Sequence, residues 1–149
     1  MAANRQFCTF YLNQMLFGIE LQSVQEVICA LTMTQVPLAP KVVSGLINLR
    51  GQIVTAVDLR RRFDMDNRPE SQLPMNVVVR TPDGAVSLLV DEIGEVLEVD
   101  ENTFERTPET LQGVTRQLIR GIYKLEKRLL LVLDIDRALE SAAVVGAVN

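Results

Sequence analysis

The chain contains no histidine, and that absence narrows its chemistry more than any other count. It removes Ser-His-Asp and Cys-His nucleophile activation, histidine-ligated metals and haem, and the usual general base near neutral pH. Cysteine is scarce too: Cys8 and Cys29 are isolated thiols with no CxxC pair, so neither a disulfide framework nor a zinc site is implied. There is no basic excess, since 15 Lys and Arg face 19 Asp and Glu for a net charge of −4, which argues against binding to phosphate backbones. No nucleic-acid partner is expected. The longest uncharged stretches, Gln6 to Ile19 and Val27 to Pro40, fall short of the ~20 apolar residues of a spanning helix, so no direct membrane insertion is expected either. The N-terminal MAANRQF lacks the apolar core of a secretory signal; cytoplasmic residence is expected, and two unpaired cysteines suit it. A phosphate-cradling glycine loop is also missing, because NLRGQIV carries a single glycine.

What remains is an ordinary globular composition: 149 residues, 48% apolar and 23% charged, enough for one domain or two small ones without a metal or disulfide. Strand periodicity dominates. From Met15 to Leu21 one face carries Met, Phe, Ile and Leu and the other Leu, Gly and Glu, the period of two of a half-buried strand. Phe7 to Leu12 precedes it through Asn13-Gln14, which reads as a hairpin. Asn76 to Thr81 and Ala85 to Val90 make a second hairpin around Pro82-Asp83-Gly84, where Pro presets φ and Gly supplies φ > 0. Gly51 divides Leu46–Leu49 from Ile53–Leu59, and Glu126-Lys127 divides Ile119–Leu125 from Arg128–Ile135. Eight to ten short strands result, the signature of an all-β barrel or sandwich.

Helices are predicted to be few. Ser23-Val24-Gln25-Glu26 has the spacing of a capping box and predicts one or two helical turns through Val27 and Ile28. Pro40 suits the first position of a short turn ending at Gly45, and Asp134 to Leu139 predicts the start of a C-terminal helix, with Ala142 to Asn149 fraying. Arg60-Arg61-Arg62, followed by Asp64 and Asp66, reads as a solvated turn, and Arg68 to Pro74 as the linker between two halves.

Two internal alignments support the halves. One lays Gly45 over Gly121 and continues through Leu49/Leu125 and Asp58/Asp134; the other lays Val24-Gln25-Glu26-Val27 over Ile93-Gly94-Glu95-Val96. Two similar barrels of about five strands follow, with loops and end faces left for binding.

FGIELQSVQEV, then P-xx-V-x-G-x-INLRG-x-IV-xxx-DL, then LLVDEIGEVLEV, then IRGIYKL-xxx-LLLVLDID-x-AL resemble in order the CheW family, the adaptors of bacterial chemosensory arrays, across residues 7–140. The resemblance implies an all-β fold of two SH3-like five-stranded β-barrels side by side, with short helices including one at the C-terminus. It makes 1–149 a single CheW-like domain, with a first barrel at 15–75 and a second at 1–14 plus 76–149. It further implies a non-enzymatic adaptor without cofactor. Its partners would be the helical cytoplasmic tip of a methyl-accepting chemoreceptor and the regulatory domain of a CheA-type histidine kinase. It leaves open self-association of the adaptor within arrays, and it implies recruitment to membrane-associated receptor arrays. A small ligand-binding β-barrel module is the alternative reading, and a carboxylate enzyme a third.

Glu26 and Arg50 occupy positions where the family carries an ion pair that holds or presents the docking surface. Capping at Glu26 and an exposed turn at Arg50 explain them equally well. The second half keeps Glu95 but has Glu126 at the place of Arg50, which favours a partner-specific role. Val24, Val27, Ile93 and Val96 are equivalent in the two repeats; they are either core residues or, with Glu26 and Arg50, the receptor-binding groove that the resemblance implies between the barrels. Leu31, Met33, Val36 and Leu38 lie in an apolar loop, either folded under the barrel or forming the kinase-facing surface that the resemblance implies. Gly45 and Gly51 serve backbone geometry, through close approach or positive φ. Asp91-Glu92 and the Asp134/Asp136 pair form no persuasive metal or acid-base site, since Asp134 repeats Asp58 at a helix start where capping suffices.

Overall fold

Two-residue turns set the register of this fold. The computed structural model describes residues 4–29 and 31–140. In chain order its strands are β1 (Asn4–Leu12), β2 (Met15–Glu20), β3 (Val24–Ile28), β4 (Val43–Leu49), β5 (Gln52–Asp58), β6 (Met75–Thr81), β7 (Gly84–Val90), β8 (Glu92–Asp100), β9 (Phe104–Glu105), β10 (Ile119–Lys124) and β11 (Leu129–Leu133). Short helices α1 (Leu59–Arg62), α2 (Val114–Leu118) and α3 (Ile135–Ala138) complete it. Asn13 and Gln14 have φ of 48° and 71°, and Arg50 and Gly51 have 51° and 88°. Two consecutive left-handed residues are what a tight hairpin needs to follow the strand twist, so β1–β2 and β4–β5 are fixed by their loops.

The strands form a five-stranded sheet in the order β3-β6-β7-β5-β4 and a six-stranded sheet in the order β8-β1-β2-β11-β10-β9. The two share one wiring. An edge strand runs antiparallel to a hairpin, and the hairpin's second strand runs parallel to the second strand of another hairpin, at β7–β5 in one sheet and β2–β11 in the other. The N-terminal hairpin β1–β2 therefore does in the second barrel what β6–β7 does in the first.

This wiring corrects the expected boundaries at 15 and 75. β2 pairs with β1 and β11, while β6 and β7 pair with β3 and β5, so the first barrel runs from 24 to 90 and the second is built from 4–20 plus residues after 91. Arg68 to Pro74 is a connection within the first barrel, and the chain crosses between barrels at Leu21–Ser23 and at Asp91.

Three local readings change as well. The segment read as a capped helix is strand β3, preceded by a single 3-10 turn at Leu21–Ser23. β-branched Val24, Val27 and Ile28 favour the strand, and the Glu26 carboxylate is taken by Arg50 rather than by a backbone N–H. The turn opened by Pro40 closes at Val43, whose N–H donates to the Pro40 carbonyl at 2.9 Å, and Gly45 lies inside β4. Arg60-Arg61-Arg62 is helical, because the Asp58 carboxylate caps α1 at the Arg60 N–H at 3.0 Å. Asp134 caps α3 in the same way, accepting from the Arg137 N–H at 3.2 Å. Ala142 to Asn149 lies outside the described residues.

β2 was expected to be half-buried and is buried on both faces. Phe17 and Ile19 enter a core shared with Val57, Leu59, Phe63, Val77, Val79, Leu88 and Val90 of the first barrel, while Leu16 packs with Phe7, Tyr123 and Leu130 inside the second. A hairpin lying between two barrels has no solvent side. The Phe17 ring sits 4.9 Å from that of Phe63 across the seam, and burying it contributes about 1.5–3 kcal/mol.

Candidate functional site

Glu26 belongs to β3 and Arg50 to the β4–β5 turn, and β3 and β4 are the two edges of the five-stranded sheet. Their ion pair therefore joins edge to edge and helps close the first barrel. The Arg50 Nη2 donates to Glu26 Oε2. That hydrogen bond holds the Glu26 carboxyl below its ordinary value; desolvation opposes it, and the Gln25 hydrogen bond and the Arg50 charge add lesser contributions in the same direction. The Asn48 Oδ1 accepts the Gly51 N–H at 2.9 Å and pins the turn that carries Arg50. Arg50 keeps 68% of its side chain exposed and can reach a partner without releasing Glu26. In the second half, neither Glu95 nor Glu126 has an ion-pair partner among the described residues.

Gly45 and Gly51 differ in what they supply. A Cβ on Gly45 would lie 2.7 Å from the Thr34 carbonyl oxygen, so this glycine lets the Leu31–Leu38 loop approach β4. There Thr34 and Leu46 exchange backbone hydrogen bonds of 2.9 and 2.8 Å. Gly51 has open space around it and serves only its positive φ.

The four apolar groove candidates divide. Val24 and Ile93 are partly buried against the shared seam core, one from each barrel. Val27 and Val96 are exposed at 39% and 53%, which removes the core reading for these two. Ile53, two residues beyond Gly51, is 62% exposed and was missed; the signal available was an isoleucine at the solvent end of a hairpin. The loop candidates divide too. Leu31 and Met33 are partly buried and pack against Ile47, Ala56 and Leu89 of the first barrel. Val36 is partly buried, and Leu38 is fully exposed with φ of 63°.

A second cluster escaped the sequence reading. Asp91, at the crossing from β7 to β8, accepts from Arg60 Nε and Nη2 at 2.8 and 2.6 Å, from Arg68 Nε at 2.8 Å and from the Asn13 N–H at 2.8 Å. Arg68 also donates to both Asp58 oxygens at 3.1 Å. Burial alone would raise the Asp91 pKa; the hydrogen bonds from Arg60 and Asn13 and the charges of Arg68 and Arg60 outweigh it and hold the carboxyl below its ordinary value. With both arginines engaged, these carboxylates are structural, and among the described residues no group of three or more potential metal ligands converges.

The CheW-like domain family model matches residues 6–143. A chemotaxis protein CheW from Bacillus subtilis is 30% identical over 139 residues, covering 93% of this chain and 89% of that one. Another from Treponema pallidum is 27% identical over 140 residues, covering 91% and 82%. The crystal structure of the scaffolding protein TtCheW from Thermoanaerobacter tengcongensis superposes with a TM-score of 0.84 at 28% identity, covering 93% of this chain and 94% of that one. The two sheets correspond to the two SH3-like barrels of that fold. On a family match across nearly its whole length and on the shared two-barrel architecture, the chain belongs to the CheW-like domain family.

Proposed function

We propose that this chain is a signalling adaptor that couples the cytoplasmic helical tips of chemoreceptors to the regulatory domain of a CheA-type histidine kinase. Its family makes the chain a chemotaxis scaffold of the CheW type. The coupling role rests on the Glu26–Arg50 pair, which holds a mostly exposed guanidinium on a rigid turn, while Val27 on β3 and Ile53 near the start of β5 are exposed as well. Exposed apolar side chains on the barrel that carries a fixed charge suit an amphipathic helix. The receptor groove then comprises Val24, Glu26, Val27, Arg50, Ile93 and Val96, and Leu38 with Val36 offers the kinase-facing contact.

The ligand-binding barrel has less support. Ile47, Ala56 and Leu89, with Leu49, Val54 and Val78, fill the first barrel, and Phe7, Leu16, Tyr123 and Leu130 fill the second. No helix among the described residues is long and apolar enough to cross a membrane, so recruitment to an array would run through the receptors.

Reconstitution tests the proposal. Receptor-containing membranes and a CheA-type kinase, mixed with and without this chain, should show ligand-responsive kinase autophosphorylation only when it is present. Equal kinase response in its absence would contradict the coupling role.

A further inference from the structure

The Arg60-Arg61-Arg62 triplet and Asp91 stand outside the docking surface described above, and Arg60 and Asp91 belong with Arg68 and Asp58 to a buried network of paired charges. We infer that α1 is an inter-barrel lock: Arg60 and Arg62 fasten the first barrel to the second and fix the angle between the two halves of the partner groove.

The contacts run in two directions from one four-residue helix. Arg60 grips the Asp91 carboxylate, which also accepts the Asn13 N–H, and the Asp91 N–H donates to the Tyr11 carbonyl at 3.1 Å; Asn13 and Tyr11 belong to the second barrel. Arg62 reaches the end of α3, with Nε 2.9 Å from the Ala138 carbonyl oxygen and Nη2 3.0 Å from that of Arg137. Arg61 stays within the first barrel, donating to the Lys41 carbonyl at 3.1 Å. Helical geometry separates the two links, since successive side chains point about 100° apart and Arg60 and Arg62 therefore leave opposite sides of α1.

A cluster that merely stabilised a barrel would recur in the second repeat. The helix cap does recur, as Asp58 and Asp134. The cross-links do not: Asp136 stands at the place of Arg60, Ala138 at that of Arg62, and Gln22 at that of Asp91. The two arginines and two aspartates at the crossing, Arg60, Arg68, Asp58 and Asp91, also balance in charge, with side chains at most 11% exposed. Paired charges of this kind add little stability over an apolar core but select one geometry, because any other leaves a charge unpaired. Asp91 lies two residues before Ile93, so the lock adjoins the second barrel's side of the groove.

The consequence for partner binding rests on the function proposed above; the lock itself does not. Spin labels on Asp83→Cys in the β6–β7 turn and Lys127→Cys in the β10–β11 turn, with Cys29→Ser, report the distance between barrels in the full chain. Asp91→Asn and Arg62→Met should each broaden or shift that distance distribution while far-UV circular dichroism keeps its β signature. An unchanged distribution in both variants overturns the lock. If Asp91→Asn does not fold, Arg62→Met decides alone, since it removes only the link to α3. If the variants leave about a tenth of molecules in the competent geometry, affinity for the helical cytoplasmic tip of a chemoreceptor falls about tenfold. A broadened distribution with unchanged affinity overturns the groove-positioning role. Absence of binding by the parent chain would instead refute the proposed function and leave the distance result to decide the lock.

Discussion

Glu26 and Arg50 pair across the two edges of one sheet, so a contact that closes the first barrel also orients a guanidinium toward solvent. Arg50→Glu turns this attraction into repulsion at an exposed site, where pairs contribute little to stability. Thermal unfolding should move by a few degrees at most, while receptor-dependent kinase activation should be lost. The double variant Glu26→Arg with Arg50→Glu separates two roles. Restored coupling means the internal pair matters; continued loss means Arg50 touches a partner. Unchanged melting, binding and activation in Arg50→Glu would remove Arg50 from the site.

Leu38 carries a fully exposed side chain on a left-handed backbone, φ of 63°. Asn tolerates that conformation better, and no buried area is at stake. Leu38→Asn should leave stability unchanged or raise it by up to about 1 kcal/mol, read by urea unfolding. Kinase binding should weaken in the same variant. Full binding would show that Leu38 makes no contact there.

Gly45 and Gly51 should respond differently to alanine. At Gly45 the added methyl meets the Thr34 backbone, and the expected loss is about 1–3 kcal/mol, with the Thr34–Leu46 bridge the first contact to open in hydrogen exchange. At Gly51 only the φ of 88° opposes the change, and the loss should be about 1 kcal/mol. Equal losses would mean that close approach at Gly45 is not limiting.

Asp91 gives stability a defined acid dependence. Its folded pKa is lowered, so its contribution is complete above the unfolded carboxylate value of about 3.9 and is lost as pH falls through the folded value. Asp91→Asn should therefore be less stable than the parent at pH 7, with the difference shrinking as both are taken into acid. A difference that grows toward low pH would contradict the sign.

Hairpins and repeats were legible because their causes are local. Asn13-Gln14, Pro82-Asp83-Gly84 and Arg50-Gly51 are turn chemistry, and Asp58 and Asp134 announce their helices by position. The barrel boundary was not legible, since whether β1–β2 pairs with β3 or with β8 depends on contacts far apart in sequence. The same holds for Asp91 and Arg60: an aspartate after an apolar strand and an arginine in a basic triplet look solvated until the fold brings Arg68 and Asn13 to them. β3 misled because Ser23 and Glu26 have capping spacing, while the residues that decide, Val24, Val27 and Ile28, favour a strand only once an edge is there to pair with.

An adaptor of the proposed kind binds the kinase directly. Titration calorimetry of the full chain into the folded regulatory domain of a CheA-type kinase measures it without receptors or nucleotide. Saturable one-to-one heat at micromolar protein, weakened by Leu38→Asn, is the predicted result. No heat at tens of micromolar, with both proteins folded, would rule out the adaptor role proposed for this chain.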